Sequence, residues 1–208
     1  MGSLTIGFDL DMTLVDSRPG IAATYRAITE LTGVYVDAEL AVTRLGPPLE
    51  VELANWFPPE QVAHAAATYR SLYRDHAIAC SPPLPGAVDA FAAVRAAGGR
   101  VLVVTAKNEL NARHHLAHLG LTADAVVGFA WADGKVAALR AHQAVAYIGD
   151  HVTDMAASLG AGAYPVGVAT GPCTVEELYA AGARAVLPDL TAFPAWLDRG
   201  CQPPPAGI

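Results

Sequence analysis

The chain is 208 residues long, 53% hydrophobic and 16% charged, enough apolar material at this length to fill a core. Those figures exclude a disordered tail, a repeat array and a string of independent modules. Thirteen basic against 20 acidic side chains leave a net charge of −7, so nothing attracts a phosphate backbone or an anionic membrane, and neither is an expected partner. Cys80, Cys173 and Cys201 are far apart and lack the CxxC spacing of a zinc or redox motif. The first residues carry no basic leader, and no apolar run approaches the roughly 18 residues of a membrane span. The expectation is a soluble cytoplasmic protein with reduced thiols, either monomer or homodimer.

In chain order, residues 4–8 are short, apolar and mostly β-branched, the pattern of a strand buried on both faces. Residues 17–85 then lack any comparable run and carry helical patterns instead. Ile21, Tyr25, Ile28 and Leu31 step by four, three and three, which predicts one face of a helix. Turn-forming clusters, Ser17-Arg18-Pro19-Gly20 and Ser81 through Gly86, bound this block, which reads as an inserted α-helical cap. Further strands are predicted at residues 101–104, 125–129, 145–148, 164–168 and 185–187. Helices are predicted among them at 108–119, 135–142, 154–159 and 175–181. Regular alternation of this kind predicts a parallel α/β sheet. The expected organisation is therefore a catalytic core of residues 1–16 and 86–201, a cap of residues 17–85, and a frayed Pro-rich tail at 202–208.

Chemistry concentrates where the predicted strands end, the edge at which open parallel sheets bind ligands. The first strand runs out into Asp9-Leu10-Asp11-Met12-Thr13, placing two carboxylates that are costly to bury unless a cation or hydrogen-bond donors meet them. The strand at 101–104 ends in Thr105-Ala106-Lys107-Asn108, a hydroxyl and backbone amides at a helix start, which suits an anion. The strand at 145–148 ends in Gly149-Asp150-His151-Val152-Thr153-Asp154, and Lys135 lies between at another helix start. Helix capping accounts for any one of these, but not for acid, hydroxyl, lysine and acid together. The only two lysines in the chain, Lys107 and Lys135, both fall within the constellation.

On these residues the chain resembles the haloacid dehalogenase superfamily of phosphohydrolases over essentially its whole length. The family's DxDx[TV] motif is matched by Asp9, Asp11 and Thr13; its strand-closing Ser or Thr by Thr105; its lysine by Lys135; and its GDxxxD motif by Gly149, Asp150 and Asp154. Ninety-six residues separate Asp9 from Thr105, 30 more lead to Lys135 and 15 more to Asp150. The helical insertion and the Arg44-Leu45-Gly46-Pro47-Pro48 loop are most similar to the phosphoglycolate-phosphatase-like branch, in which a Gly-containing cap loop approaches the substrate. That branch usually has proline after the motif lysine, where this chain has Val136. Lys107 is therefore a contender for the same role, although its place two residues after Thr105 is expected to point it elsewhere.

The resemblance implies a Rossmann-like parallel sheet with helices on both faces, beneath the inserted cap. It implies that Asp9 attacks phosphorus to form an aspartyl-phosphate, while Asp11 protonates the leaving oxygen and then activates water. Thr105, the Ala106 backbone and Lys135 hold the phosphoryl oxygens, and Arg44 and Gly46 meet the substrate from the cap. Two carboxylates facing a phosphate dianion need a divalent cation, and magnesium suits an all-oxygen site. Its implied ligands are Asp9, the carbonyl of Asp11 and Asp150, with Asp154 either a further ligand or the group that orients water.

The expected substrate is a small phosphate ester, with a phosphoglycolate-like compound as the default. A phosphomutase of the same fold and a non-catalytic phospho-ligand-binding module are the competing readings. Asp11 argues against a dehalogenase, and a cap without lysine argues against phosphonate hydrolysis. His114 and His118 are spaced for zinc but lack a third ligand, His151 reads as solvated, and Arg70 and Arg74 read as surface charges.

Overall fold

A computed structural model describes residues 4–200. Cys201 and the tail expected at 202–208 lie outside the described residues. In chain order the elements are β1 (Thr5–Phe8), α1 (Arg18–Thr32), α2 (Ala38–Ala41), α3 (Leu49–Leu53), α4 (Pro59–Ala77), α5 (Ala87–Ala96), β2 (Arg100–Val104), α6 (Glu109–His118), β3 (Ala125–Val127), α7 (Asp133–Ala141), β4 (Ala146–Gly149), α8 (Val152–Ala161), β5 (Tyr164–Val168), α9 (Val175–Ala180), β6 (Ala185–Leu187) and α10 (Phe193–Asp198).

The six strands form one parallel sheet in the order β3-β2-β1-β4-β5-β6. The chain winds outward from β1 to β2 and β3 on one side, then returns to β4 and winds outward the other way. The crevice between the carboxyl ends of β1 and β4 is thus the topological switch point, where this class of sheet binds ligands.

Alternation along the strands sorts side chains to two covered faces. Ile6, Phe8, Val101, Val103, Ala146 and Ile148 pack with Phe91, Phe193 and Trp196 in one cluster, while Leu102, Val104 and Tyr147 pack with Leu139 and Ala157 in another. Burial on both faces is why these strands carry no polar alternation. Gly7 sits beneath the Tyr147 ring, where a Cβ would come within 2.8 Å of it. The room it leaves lets the Tyr147 hydroxyl donate to the Val104 carbonyl at 2.7 Å.

Most expected boundaries shift by a residue or two, and two of the shifts have a local cause. The third strand stops at Val127, because Phe129 turns outward with φ of 53° and is largely exposed. The helix expected to begin at Asp154 begins at Val152, because His151 and Asp154 form a reciprocal capping box with Asp154 on the third helical residue.

The helices α1 to α4 bury an apolar cluster of their own, including Ile21, Tyr25, Ile28, Leu53, Tyr69 and Tyr73. Leu31, expected on the same face of α1, is instead 65% exposed near the helix end. The return of the chain to the sheet is tight. A Cβ on Gly20 would lie 2.5 Å from the Ala77 carbonyl oxygen, so α1 and α4 meet almost backbone to backbone there.

Candidate active site

Three strand ends and two helix starts assemble the site. Asp9 continues the ladder of β1, its N–H donating to the Ile148 carbonyl of β4 at 2.8 Å, which places the carboxyl over the switch point. The chain then folds back sharply through Met12, with φ of 58°, held by Leu14 and Val15 N–H bonds to the Leu10 carbonyl. That turn directs Thr13 toward β4, where its hydroxyl donates to Asp150 Oδ1 at 2.8 Å. The Thr170 hydroxyl pins the Met12 carbonyl from the loop after β5.

Asp150 closes β4 and is buried; a Cβ on Gly171 would fall 1.9 Å from its Oδ2, so only glycine fits there. Asp154 lies deeper, fully buried in the first turn of α8, with Oδ2 accepting from the His151 N–H at 3.1 Å. Gly149 makes room for it, because a Cβ there would meet that Oδ2 at 2.3 Å. Lys135 extends from the first turn of α7, 2% exposed, and its Nζ lies 2.6 Å from Asp154 Oδ1 and 3.2 Å from Asp9 Oδ1.

The electrostatics follow from burial. Asp9, Asp150 and Asp154 offer oxygens that all lie within 4.8 Å of one another, and Lys135 is the cation paired with two of them. Burial is the larger influence on Asp9 and raises its carboxyl to about 7, Lys135 opposing and Asp154 and Asp11 adding to the rise. Asp150 is also pushed well above the carboxylate range, by burial and then by Asp9 and Asp154. Burial disfavours the Lys135 ammonium, but Asp154 and Asp9 outweigh it and hold the proton more tightly than usual. Asp11 differs: burial pushes it up, yet Lys107 and its other partners outweigh burial and leave it below the usual carboxylate value.

All of the expected phosphate-side residues line one cavity: Asp9, Asp11, Thr105, Ala106, Lys135 and Asp150. Asp154 lies beneath them and is not part of the lining. The helical segment of α1 to α4 supplies Arg44 and Gly46 to the same cavity, together with Arg70. Arg44 forms a fork with Glu52, at 2.5 and 3.1 Å, and Arg70 donates to Glu50 at 2.7 Å with its guanidinium over the Phe129 ring. Arg74 does not reach the cavity. Gly46 has φ of 130° and faces the His151 ring, which a Cβ would approach to 2.9 Å. His151 therefore lines the cavity rather than lying in solvent, contrary to its sequence reading.

Lys107 is the second correction. It does not point elsewhere: its Nζ lies 3.1 Å from Asp11 Oδ1 and donates to the Tyr73 hydroxyl at 2.6 Å. Sequence reasoning missed Tyr73 and His115 altogether. Tyr73 follows Tyr69 on the buried face of α4, and His115 follows Asn111 and Ala112 on that of α6, spacings that mark burial but not partnership.

A six-stranded parallel sheet with carboxylates, a hydroxyl and a buried lysine gathered at its switch point is an α/β architecture whose ligand site lies at that crevice. The family model described as haloacid dehalogenase-like hydrolase matches residues 6–158, and the chain belongs to that family. It is 34% identical over 115 residues to the tyrosine-protein kinase PtkA of Mycobacterium tuberculosis, a match covering 55% of this chain and only 40% of that one. It is 29% identical over 204 residues to the "Probable phosphatase IndB" of Dickeya dadantii, covering 86% of this chain and 87% of that one. The solved structure of the haloacid dehalogenase-like protein SP0104 from Streptococcus pneumoniae superposes with a TM-score of 0.81 at 24% identity, covering 94% and 98% of the two chains. It shares the architecture.

Proposed function

We propose that the protein is a cytoplasmic, magnesium-dependent phosphatase that hydrolyses a small phosphorylated metabolite through an aspartyl-phosphate on Asp9, with residues 17–85 as the cap over the site. The observation that carries this reading is an imbalance of charge. With all three ionised, as metal binding requires, Asp9, Asp150 and Asp154 face one ammonium, which pairs with Asp9 and Asp154, and two buried negative charges are left unmatched; burial raises Asp9 and Asp150 for want of that match. Asp9 Oδ1 and Asp11 Oδ1 are buried without a well-directed hydrogen bond. Two unmatched charges in an all-oxygen donor set fit a divalent cation.

Magnesium would be held by Asp9, the Asp11 carbonyl and Asp150, and when bound it supplies positive charge to the phosphoryl oxygens. Asp154 contributes charge from below while its own oxygens hold Lys135 and the His151 N–H. The remaining work belongs to the chain's own groups. A carboxylate oxygen of Asp9 attacks phosphorus as the ester P–O bond breaks, and Asp11, ionised beside Lys107 in the free protein, takes up a proton on substrate binding and delivers it to the departing oxygen. Asp11 then takes a proton from water as that water attacks the phosphoryl-aspartate, releasing inorganic phosphate and restoring Asp9. Thr105, the Ala106 backbone and Lys135 hold the phosphoryl oxygens throughout. Arg44 and Gly46 close over the leaving group from the cap and exclude water.

The test is phosphate release from p-nitrophenyl phosphate and a panel of small esters headed by phosphoglycolate, with magnesium or a chelator, for wild type and Asp9→Asn. Magnesium-dependent release that Asp9→Asn abolishes supports the reading. Release that survives the substitution, or no release from any ester, overturns it. Transfer of phosphate within a hexose phosphate in place of release identifies a mutase.

A further inference from the structure

One hydroxyl from the cap enters the core beside the proposed acid–base residue. Tyr73 is buried on α4 and packs with Tyr69 in the cap cluster, ring centres 5.7 Å apart. Its hydroxyl leaves that cluster and lies 2.6 Å from Lys107 Nζ and 2.9 Å from His115 Nε2, both core residues. The Lys107 ammonium also sits 4.3 Å from the Tyr73 ring centre and 3.1 Å from Asp11 Oδ1.

Donor chemistry gives the chain of bonds a direction. Lysine only donates, so the Tyr73 oxygen accepts from Lys107, and the assignment that also pairs the Tyr73 hydrogen sends it to His115 Nε2. His115 is then the neutral tautomer with hydrogen on Nδ1. Burial, with Lys107 adding to it, pushes this histidine down to about 3 and keeps it neutral. That leaves its Nδ1 buried without a partner, a cost that an apolar side chain of similar size avoids. A network that keeps an unpaired polar atom is poorly explained by stability, and it joins two parts of the molecule at the point where one covers the other.

We propose that Tyr73 is a positioning residue through which the seated cap fixes Lys107 against Asp11, so that the acid–base carboxylate is in place only when the cap is closed. The role of Asp11 rests on the phosphatase reading; the latch between cap and core does not. When α4 lifts, the hydroxyl leaves with it, and Lys107 loses the partner that holds its flexible stem.

Tyr73→Phe removes this hydroxyl while keeping the ring, its packing on Tyr69 and the ring face beneath the ammonium. With a small alkyl phosphate as substrate, kcat is expected to fall about tenfold, the scale of one hydrogen bond to a charged group, with KM within about twofold. Lys107→Met is expected to show the same split, and the double variant to be no slower than Lys107→Met alone. Additive losses, or an unchanged kcat in Tyr73→Phe, overturn the proposal. Hydrogen–deuterium exchange of the full chain is the arm that needs no catalysis. Exchange in Tyr73→Phe should rise several-fold in residues 16–19 and 81–86, where the chain passes between cap and core, with the cap helices unchanged. A uniform rise, or none, overturns the latch. If the wild type hydrolyses nothing, yet Tyr73→Phe shows the local rise, the latch is retained and the phosphatase reading is lost.

Discussion

Replacing Lys135 with methionine isolates the electrostatics of the site from its packing. Methionine fills most of the volume of the lysine stem, so the repacking part of the loss stays below about 1.5 kcal/mol. The charge part is larger. Lys135 is 2% exposed and is shared by Asp154 and Asp9 at 2.6 and 3.2 Å, and without it three carboxylates with oxygens within 4.8 Å of one another have no paired lysine. Breaking a buried pair costs about 3–5 kcal/mol, a large share of the roughly 5–15 kcal/mol that holds a domain together.

The loss must depend on pH. Asp9 already titrates at about 7 in the native state, against 3.8 unfolded, so between those values the native protein binds more protons and becomes less stable as pH rises. Removing Lys135 takes away the main opposing influence and deepens that slope. The gap between wild type and Lys135→Met should therefore be widest near about pH 8 and shrink toward about pH 5.5, where protonation supplies what the ammonium did. Urea unfolding of both proteins in chelator, at both pH values, measures it. A gap under about 1 kcal/mol, or one of equal size at both pH values, refutes the account of Lys135 as the buried counter-charge.

Gly46→Ala puts a Cβ 2.9 Å from the His151 ring at a φ of 130°, so the cap loop must withdraw; kcat/KM should fall about tenfold, chiefly through KM, in steady-state kinetics. Gly171→Ala drives a methyl to 1.9 Å from Asp150 Oδ2 and should raise the magnesium concentration for half-maximal activity by about 10- to 100-fold, with a normal far-ultraviolet dichroism spectrum. His115 is held at about 3 in the fold against 6.5 unfolded, so below 6.5 the unfolded chain binds the extra proton and stability falls with pH. From about pH 7.5 to 5.5 this group should cost about 1.4 kcal/mol. His115→Asn should lack that part of the decline in chemical denaturation.

Much of this site was legible from residue type and spacing. Asp9, Thr105, Lys135 and Asp150 each stand where an apolar run ends or a helix begins, and in a parallel sheet such positions share one edge whatever the loop lengths between them. Phase was less legible at the ends of elements. Leu31 fits the spacing of Ile21, Tyr25 and Ile28 yet lies exposed, because each three-residue step turns about 60° away from the buried face. Lys107 was misread because proximity in sequence to Thr105 says nothing of where a four-carbon side chain is drawn.

What the sequence determined by itself was local and periodic: a strand buried on both faces, a turn of acids after it, and a helical block between two punctuated boundaries. Those features depend on neighbours within a few residues, and hydrophobic period and strand-end chemistry report them directly. What only the tertiary structure decided was partnership across the chain. Thr13 meets Asp150 over 137 positions, and Tyr73 reaches Lys107 over 34 and His115 over 42. Such pairs are selected by how helices and loops pack once the sheet has formed, and the energy that joins them leaves no period in the sequence of either partner.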